Sequence, residues 1–184
     1  MSAFENDTFI GEQITEIINR VKPSIIIETG TFMGNTTKFF TKFNIPLVGI
    51  EKNEEFYQKT LETVGVCSHF QLLHGDSPTI LDQNYEVLKN KKIFAYLDAH
   101  WGGGYTLERE LEFMVKLLIK PVLAIHDFYN PNHPEYGFDC HDGHAYTYDF
   151  YKSYFDRIYN SNYNYYYNNK ATGAKQGIIY LEPK

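Results

Sequence analysis

Residues 24–37 read Ser-Ile-Ile-Ile-Glu-Thr-Gly-Thr-Phe-Met-Gly-Asn-Thr-Thr, and no other stretch constrains the chain as tightly. Ile25, Ile26 and Ile27 form the β-branched run of a strand buried on both faces. Glu28 ends that run, and Gly30 and Gly34 follow four residues apart. Polar Asn35, Thr36 and Thr37 then lead into a helical pattern at Lys38-Phe39-Phe40. A buried strand, a glycine-hinged turn and a helix start is how open α/β sheets present backbone N–H groups to a ligand. The spacing is E-x-G-x-x-x-G rather than the G-x-G-x-x-G of dinucleotide sites, and no G-K-[ST] follows, so the turn is not a P-loop. Without a second close glycine it is less suited to a pyrophosphate. It suits a ligand whose carboxylate and ammonium meet the turn and whose ribose lies further along.

The rest of the chain alternates in the same way. Phe9, Ile10, Ile14, Ile17, Ile18 and Val21 recur at helical spacing, so residues 8–21 form an amphipathic helix, capped by Asp7 or Thr8 and ended by Lys22-Pro23. After the first strand a helix is expected over 35–43, then a buried strand over 47–51 that ends in Glu51. A helix over 54–64, a strand over 69–73, a helix near 78–89 and a strand over 93–98 follow. A helix near 105–119 and a strand over 121–127 complete the alternation. Elements of this length predict a doubly wound, mostly parallel α/β sheet with right-handed crossovers. Residues 128–144 have no period, which marks either a disordered segment or a functional loop, read here as an active-site loop or lid. A helix near 145–158 and two strands, 163–167 and 177–181, close the chain as a hairpin. At 184 residues the chain reads as a single domain.

Composition narrows the partners. The net charge of −6 argues against nucleic acid, where affinity comes from Lys and Arg on phosphates. Two cysteines, Cys67 and Cys140, make no disulfide framework and fit a reducing cytosol. No signal pattern is present, and the apolar segments fall short of the roughly 20 residues that a membrane span needs.

Two further segments carry chemistry: Tyr96-Leu97-Asp98-Ala99-His100-Trp101-Gly102-Gly103-Gly104-Tyr105 and Ala124-Ile125-His126-Asp127-Phe128. Both follow buried strands, so their polar residues land at the carboxyl edge, where open α/β sheets bind ligands. Glu51 stands at another strand end, 21 residues after Gly30. A carboxylate there can accept both ribose hydroxyls of a nucleoside ligand, as in NAD proteins, or simply be a solvated strand end. Asp76, in Gly75-Asp76-Ser77, ends the third strand and also has the makings of a helix N-cap.

At these residues the chain resembles the class I S-adenosylmethionine-dependent methyltransferases, whose first motif is an acidic residue, a glycine, three residues and a glycine. The two later segments resemble the "I-D-G-x-H-x-Y" and "H-D" motifs of a subgroup akin to the macrocin and cephalosporin-type O-methyltransferase or hydroxylase-like proteins. The resemblance covers residues 10–127. It implies a Rossmann-like sheet with its last strand antiparallel. It implies S-adenosyl-L-methionine as cofactor, held by Glu28, Gly30, Thr31, Gly34, Glu51, Asp76, Ser77 and Asp98, with Asp76 at the adenine amino group. In metal-dependent members two carboxylates hold Mg²⁺, and Asp98 and Asp127 match those positions; His100 matches the motif histidine. Ala99 departs from the motif's glycine, a glycine run follows Trp101, and Lys120-Pro121 stands where Pro-Gly-Gly is common. Three acidic strand ends, Glu28, Glu51 and Asp76, also suit a cationic sulfonium better than an anionic dinucleotide.

Methyl transfer from a sulfonium is an in-line displacement, and a hydroxyl acceptor needs its proton taken by a base or its pKa lowered by a metal. Asp98, His100, His126 and Asp127 are the catalytic candidates, with His100 or His126 as the base. The loop residues His133, Asp139, Cys140, His141, Asp142 and His144 fit no zinc spacing and read as a polar lid. Trp101, Phe128, Tyr129, Tyr136 and Tyr146 are candidates to line the acceptor site. The expected activity is transfer of a methyl to a small-molecule hydroxyl. An NAD-dependent oxidoreductase and a non-catalytic nucleoside-binding module are the alternatives on the same architecture.

Overall fold

The structure, a computed structural model, describes residues 3–99, 105–141 and 143–184. His100, Trp101, the glycine run and Asp142 therefore lie outside the described residues.

Helix α1 (Thr8–Val21) starts where Asp7 accepts the N–H groups of Phe9 and Ile10 at 2.9 and 3.0 Å, and ends at Lys22 in a left-handed turn before Pro23. Strands β1 (Ile25–Thr29), β2 (Leu47–Glu51), β3 (Phe70–His74), β4 (Ile93–Leu97) and β5 (Val122–Ile125) are mutually parallel. The C-terminal strands β8 (Tyr163–Tyr167) and β9 (Ile179–Pro183) form the expected hairpin, with β9 antiparallel to both β5 and β8. Across the sheet the order is β3-β2-β1-β4-β5-β9-β8. The sequence reverses direction between β1 and β4, and there a doubly wound sheet opens its ligand crevice.

Alternation along β1 builds two core layers. Ile25 and Ile27 face Leu81, Leu88, Leu111, Met114, Tyr151 and Phe155; Ile26 faces Ile10, Ile14, Ile17, Phe40 and Phe94. Each such buried side chain contributes about 1.5–3 kcal/mol, which is why β1, β4 and β5 are apolar on both faces while edge strand β3 leaves Gln71 and His74 exposed.

Several boundaries differ from the expectations. The helix expected over 35–43 stops as α2 (Asn35–Phe40) and tightens into a 3₁₀ turn, Thr41–Phe43. The helix over 54–64 is α3 (Glu54–Val64), as expected. The helix expected near 78–89 is two: α4 (Ser77–Gln83) and α5 (Tyr85–Leu88). Asn84 breaks it, with φ −101° and ψ 10°, and its side-chain amide donates to the Ile80 carbonyl at 2.8 Å. Helix α6 (Thr106–Lys116) ends before 119 because Leu117 is extended at ψ 137°. Helix α7 (Tyr148–Tyr159) starts three residues later than expected, where the Thr147 hydroxyl caps it. The 128–144 stretch is not featureless: β6 (Cys140–His141) and β7 (His144–Ala145) form a small antiparallel ladder.

That stretch is also tied down. The Asn130 amide donates to the Asn168 carbonyl at 2.7 Å, the Gly137 N–H to Lys175 O at 2.9 Å and the Gly177 N–H to Gly137 O at 2.9 Å. With Phe128, Asn130 and Tyr136 buried, it forms a strap against the β8–β9 connection rather than a free flap. Among the described residues no helix is long and apolar enough to cross a membrane.

Candidate active site

The turn after β1 is shaped by contact as much as by freedom. Gly30 has φ +73°, and a Cβ there would stand 2.4 Å from the Asp98 carbonyl oxygen, so this position admits only glycine if the ends of β1 and β4 are to meet. Gly34, at φ +75°, would place a Cβ 2.8 Å from the Thr60 Cα on α3. Thr31 is buried, and its hydroxyl pairs with that of Thr60 at 2.8 Å; Thr60 Oγ1 also donates to the Phe32 carbonyl at 3.1 Å. The Thr31 side chain thus anchors the turn to α3. Thr60 carries no motif; its only mark in the sequence is its place four residues from both Phe56 and Val64 on an apolar helical face.

Glu51 is buried and held from two sides. Its Oε2 accepts the Phe32 N–H at 2.9 Å and its Oε1 the Asn53 N–H at 2.8 Å. Each oxygen keeps a lone pair. Phe32, 48% exposed at φ 49°, packs edge-on to Phe56 beside this carboxylate. Glu28 is fully buried. Burial pushes its carboxyl well above the ordinary range, the Thr37 hydroxyl opposing and the charges of Asp98 and Glu51 adding to the rise. Its Oε2 finds no partner among the described residues.

Asp76 occupies the N-cap position of α4 without bonding its backbone. It accepts the Thr79 hydroxyl at 2.8 Å and faces the Arg109 guanidinium at 3.1 Å and the Lys52 ammonium at 3.9 Å. Partial burial raises its pKa, but Thr79 and the two cations win, and the carboxyl sits below its usual value. Ser77 turns inward, its hydroxyl donating to Glu110 on α6.

At the ends of β4 and β5, Asp98, His126 and Asp127 come together. His126 Nδ1 lies 3.1 Å from Asp98 Oδ1 and 3.2 Å from Asp127 Oδ1, and one donor atom from each residue falls within 4.8 Å of the others. The Asp98 side chain is 23% exposed; the other two are buried. Burial alone would lower the imidazole pKa, but Asp98 and Asp127 together carry it well above its ordinary value. Asp98 rises to about 6, through burial first, with the His126 charge and hydrogen bond holding it down and Asp127 pushing it up. Both carboxylates thus favour the protonated form of the imidazole. His100 lies outside the described residues. Of the 133–144 candidates, Asp139 approaches Asp127 through backbone, its N–H donating to Asp127 O at 2.8 Å. His133 stacks on Tyr136 and His144 on Phe150; among the described residues neither these nor Cys140 and His141 join a metal-like group.

No protein-family model and no curated protein matches the sequence. Solved structures do match the fold. The O-methyltransferase from Bacillus cereus in complex with SAH aligns over 96% of this chain and 81% of its own, with a TM-score of 0.68 and 16% identity. The O-methyltransferase TomG from Streptomyces achromogenes, involved in tomaymycin synthesis and solved with SAM, aligns over 95% and 80%, with a TM-score of 0.62 and 16% identity. The methyltransferase domain of bacterial CtHen1 aligns over 94% and 97%, with a TM-score of 0.65 and 8% identity. Sheet order, antiparallel last strand and these neighbours agree: the chain has the Rossmann-like fold of the class I methyltransferases.

Proposed function

We propose that this protein binds S-adenosyl-L-methionine in the crevice above β1, β2 and β3 and transfers its methyl to the hydroxyl of a small molecule. The observation that carries this reading is the pair of carboxylates, Glu51 and Asp98, that meet at one glycine-hinged turn, with the buried Glu28 acid near both. Such a pair suits a cation that also carries ribose hydroxyls. Bound there, the cofactor supplies an electrophilic methyl on its sulfonium.

The chain's own residues do the rest. Glu51, oriented by two backbone N–H groups, accepts the ribose hydroxyls. The Gly30 turn presents its backbone to the amino-acid end, and Asp76 faces the adenine, steadied by Arg109. Asp98, with its pKa raised to about 6, is ionised at neutral pH and takes the acceptor proton; protonated His126 holds it in place. With His126 neutral, Asp98 and Asp127 would instead hold a divalent cation such as Mg²⁺, which would lower the pKa of the acceptor hydroxyl. The His126 nitrogen, if it joined them, would favour Mn²⁺ or Zn²⁺ over Mg²⁺. The hydroxyl acceptor follows the O-methyltransferase names of the fold neighbours.

The test is release of S-adenosylhomocysteine from S-adenosylmethionine across a panel of phenolic, sugar and polyol acceptors, with and without Mg²⁺. At least one hydroxyl acceptor should be methylated, and Asp98→Asn should slow that turnover about 100-fold. Turnover unchanged in Asp98→Asn would contradict the assignment of this residue.

A further inference from the structure

Glu110 is 0% exposed, and nothing above gives it a task. It sits on α6, beneath the crevice. Its Oε1 accepts the Ser77 hydroxyl from the β3–α4 turn, and the Thr29 hydroxyl at the end of β1 lies near enough to favour the ionised form of the same carboxyl. Thr29 Oγ1 in turn accepts the Asp98 N–H at 3.3 Å. A single side chain thus stands between the turn that carries Asp76, to which it is bonded, and the strand ends that carry Gly30 and Asp98.

A purely structural acid holding α6 to the sheet is the plainer reading, and three observations weigh against it. A leucine would fill the space without desolvating a carboxyl. The Glu110 Oε2 has no partner among the described residues, so the group is not there to complete a saturated network. Its hydrogen bond runs to Ser77 at the crevice rim, and the rest of its helix face, Leu107, Leu111 and Met114, already anchors α6 in the core.

We propose that Glu110 is a positioning residue for the cofactor, fixing the adenine side of the crevice at Asp76-Ser77 against the Thr29–Asp98 side. This rests on the reading that the crevice takes S-adenosylmethionine. Burial raises the carboxyl to about 8, the Ser77 and Thr29 hydroxyls opposing, so it is neutral at pH 7. The titratable groups facing it are Asp76 from the β3–α4 turn, Asp98 just after β4 and Tyr146 between β7 and α7. Ionising Glu110 would set a third negative charge between Asp76 and Asp98 and push the two sides apart. Cofactor affinity should therefore fall above pH 8 in the wild type.

Calorimetric titration with S-adenosylhomocysteine at pH 7 and pH 9, on the wild type and on Glu110→Gln, Glu110→Leu and Ser77→Ala, tests this. Glu110→Gln keeps the acceptor oxygen without the charge, so it should bind within about threefold of wild type and lose the fall at high pH. Glu110→Leu should bind about tenfold or more weakly at pH 7 while still melting cooperatively. Wild-type affinity in Glu110→Leu, or a glutamine variant as weak as the leucine one, overturns the proposal. Should Glu110→Leu not fold, Ser77→Ala decides, because it breaks the same bond without disturbing the core: weaker binding supports the proposal and unchanged binding overturns it. A wild type that binds no S-adenosylhomocysteine fails at the first titration, before any variant, and so marks the failure of the cofactor reading itself.

Discussion

At the residue scale, the site depends on groups held in states they would not adopt in water. Glycine at position 30 is one. A Gly30→Ala Cβ would meet the Asp98 carbonyl oxygen at 2.4 Å in a left-handed backbone, so β1 and β4 must part. The variant should lose about 1–3 kcal/mol of stability and its S-adenosylhomocysteine binding together; chemical denaturation and calorimetry on one sample check both. His126 is another. Two carboxylates face its Nδ1, so NMR should find the imidazole doubly protonated at pH 7. Removing one of them in Asp98→Asn should move that titration downward. A neutral imidazole at pH 7 in the wild type would return the base role to His126.

At the scale of elements, α3 and α6 support the crevice from below. Thr60 on α3 holds both Thr31 and the Phe32 carbonyl, and Phe32 in turn orients Glu51. Thr60→Val keeps the shape and strands two polar groups, so about 1–3 kcal/mol of stability should go, with weaker cofactor binding as the turn loosens. Unchanged affinity in a destabilised Thr60→Val protein would separate α3 from the site. Neither support announces itself in the sequence. Glu108-Arg109-Glu110 looks like a solvated charge run, yet Glu110 stands three residues after Leu107 and four before Met114, on the apolar face. The strand ends were legible because a β-branched run followed by an acid and a glycine has one physical reading in an open sheet. The 128–144 strap was not legible as such. Its order comes from backbone bonds to residues about 40 positions away, such as Gly137 to Lys175, and local pattern carries no trace of those.

At the scale of the whole molecule, buried acids set how stability follows pH. Glu28 and Glu110 both have folded pKa values raised by burial, the latter to about 8. Between the unfolded value near 4.5 and the folded one, the unfolded chain has released protons that the native state keeps. Stability from these groups is full below about pH 4.5 and is lost as pH rises through the folded values, for Glu110 by about pH 8 and on the order of a few kcal/mol. Glu182 acts in the opposite sense. Its bidentate pairing with Arg20 lowers its pKa, so its contribution is present above about 4.5 and fades in acid. Thermal melts from pH 5 to 9 should show a fall in melting temperature, and Glu110→Gln should make that fall shallower between about pH 5 and pH 8. A profile rising toward pH 9 would mean that the buried acids are not protonated in the native state.

The central claim is that this fold, with this turn and these strand-end acids, holds S-adenosylmethionine. Calorimetric titration of the wild type and Glu51→Ala with S-adenosylhomocysteine, with NAD as control, tests it most directly. Micromolar binding, on the order of −8 kcal/mol, that falls at least about tenfold in Glu51→Ala as the ribose loses its acceptor, with no response to NAD, is the result expected. Binding of NAD in its place, or of neither ligand, would contradict the claim.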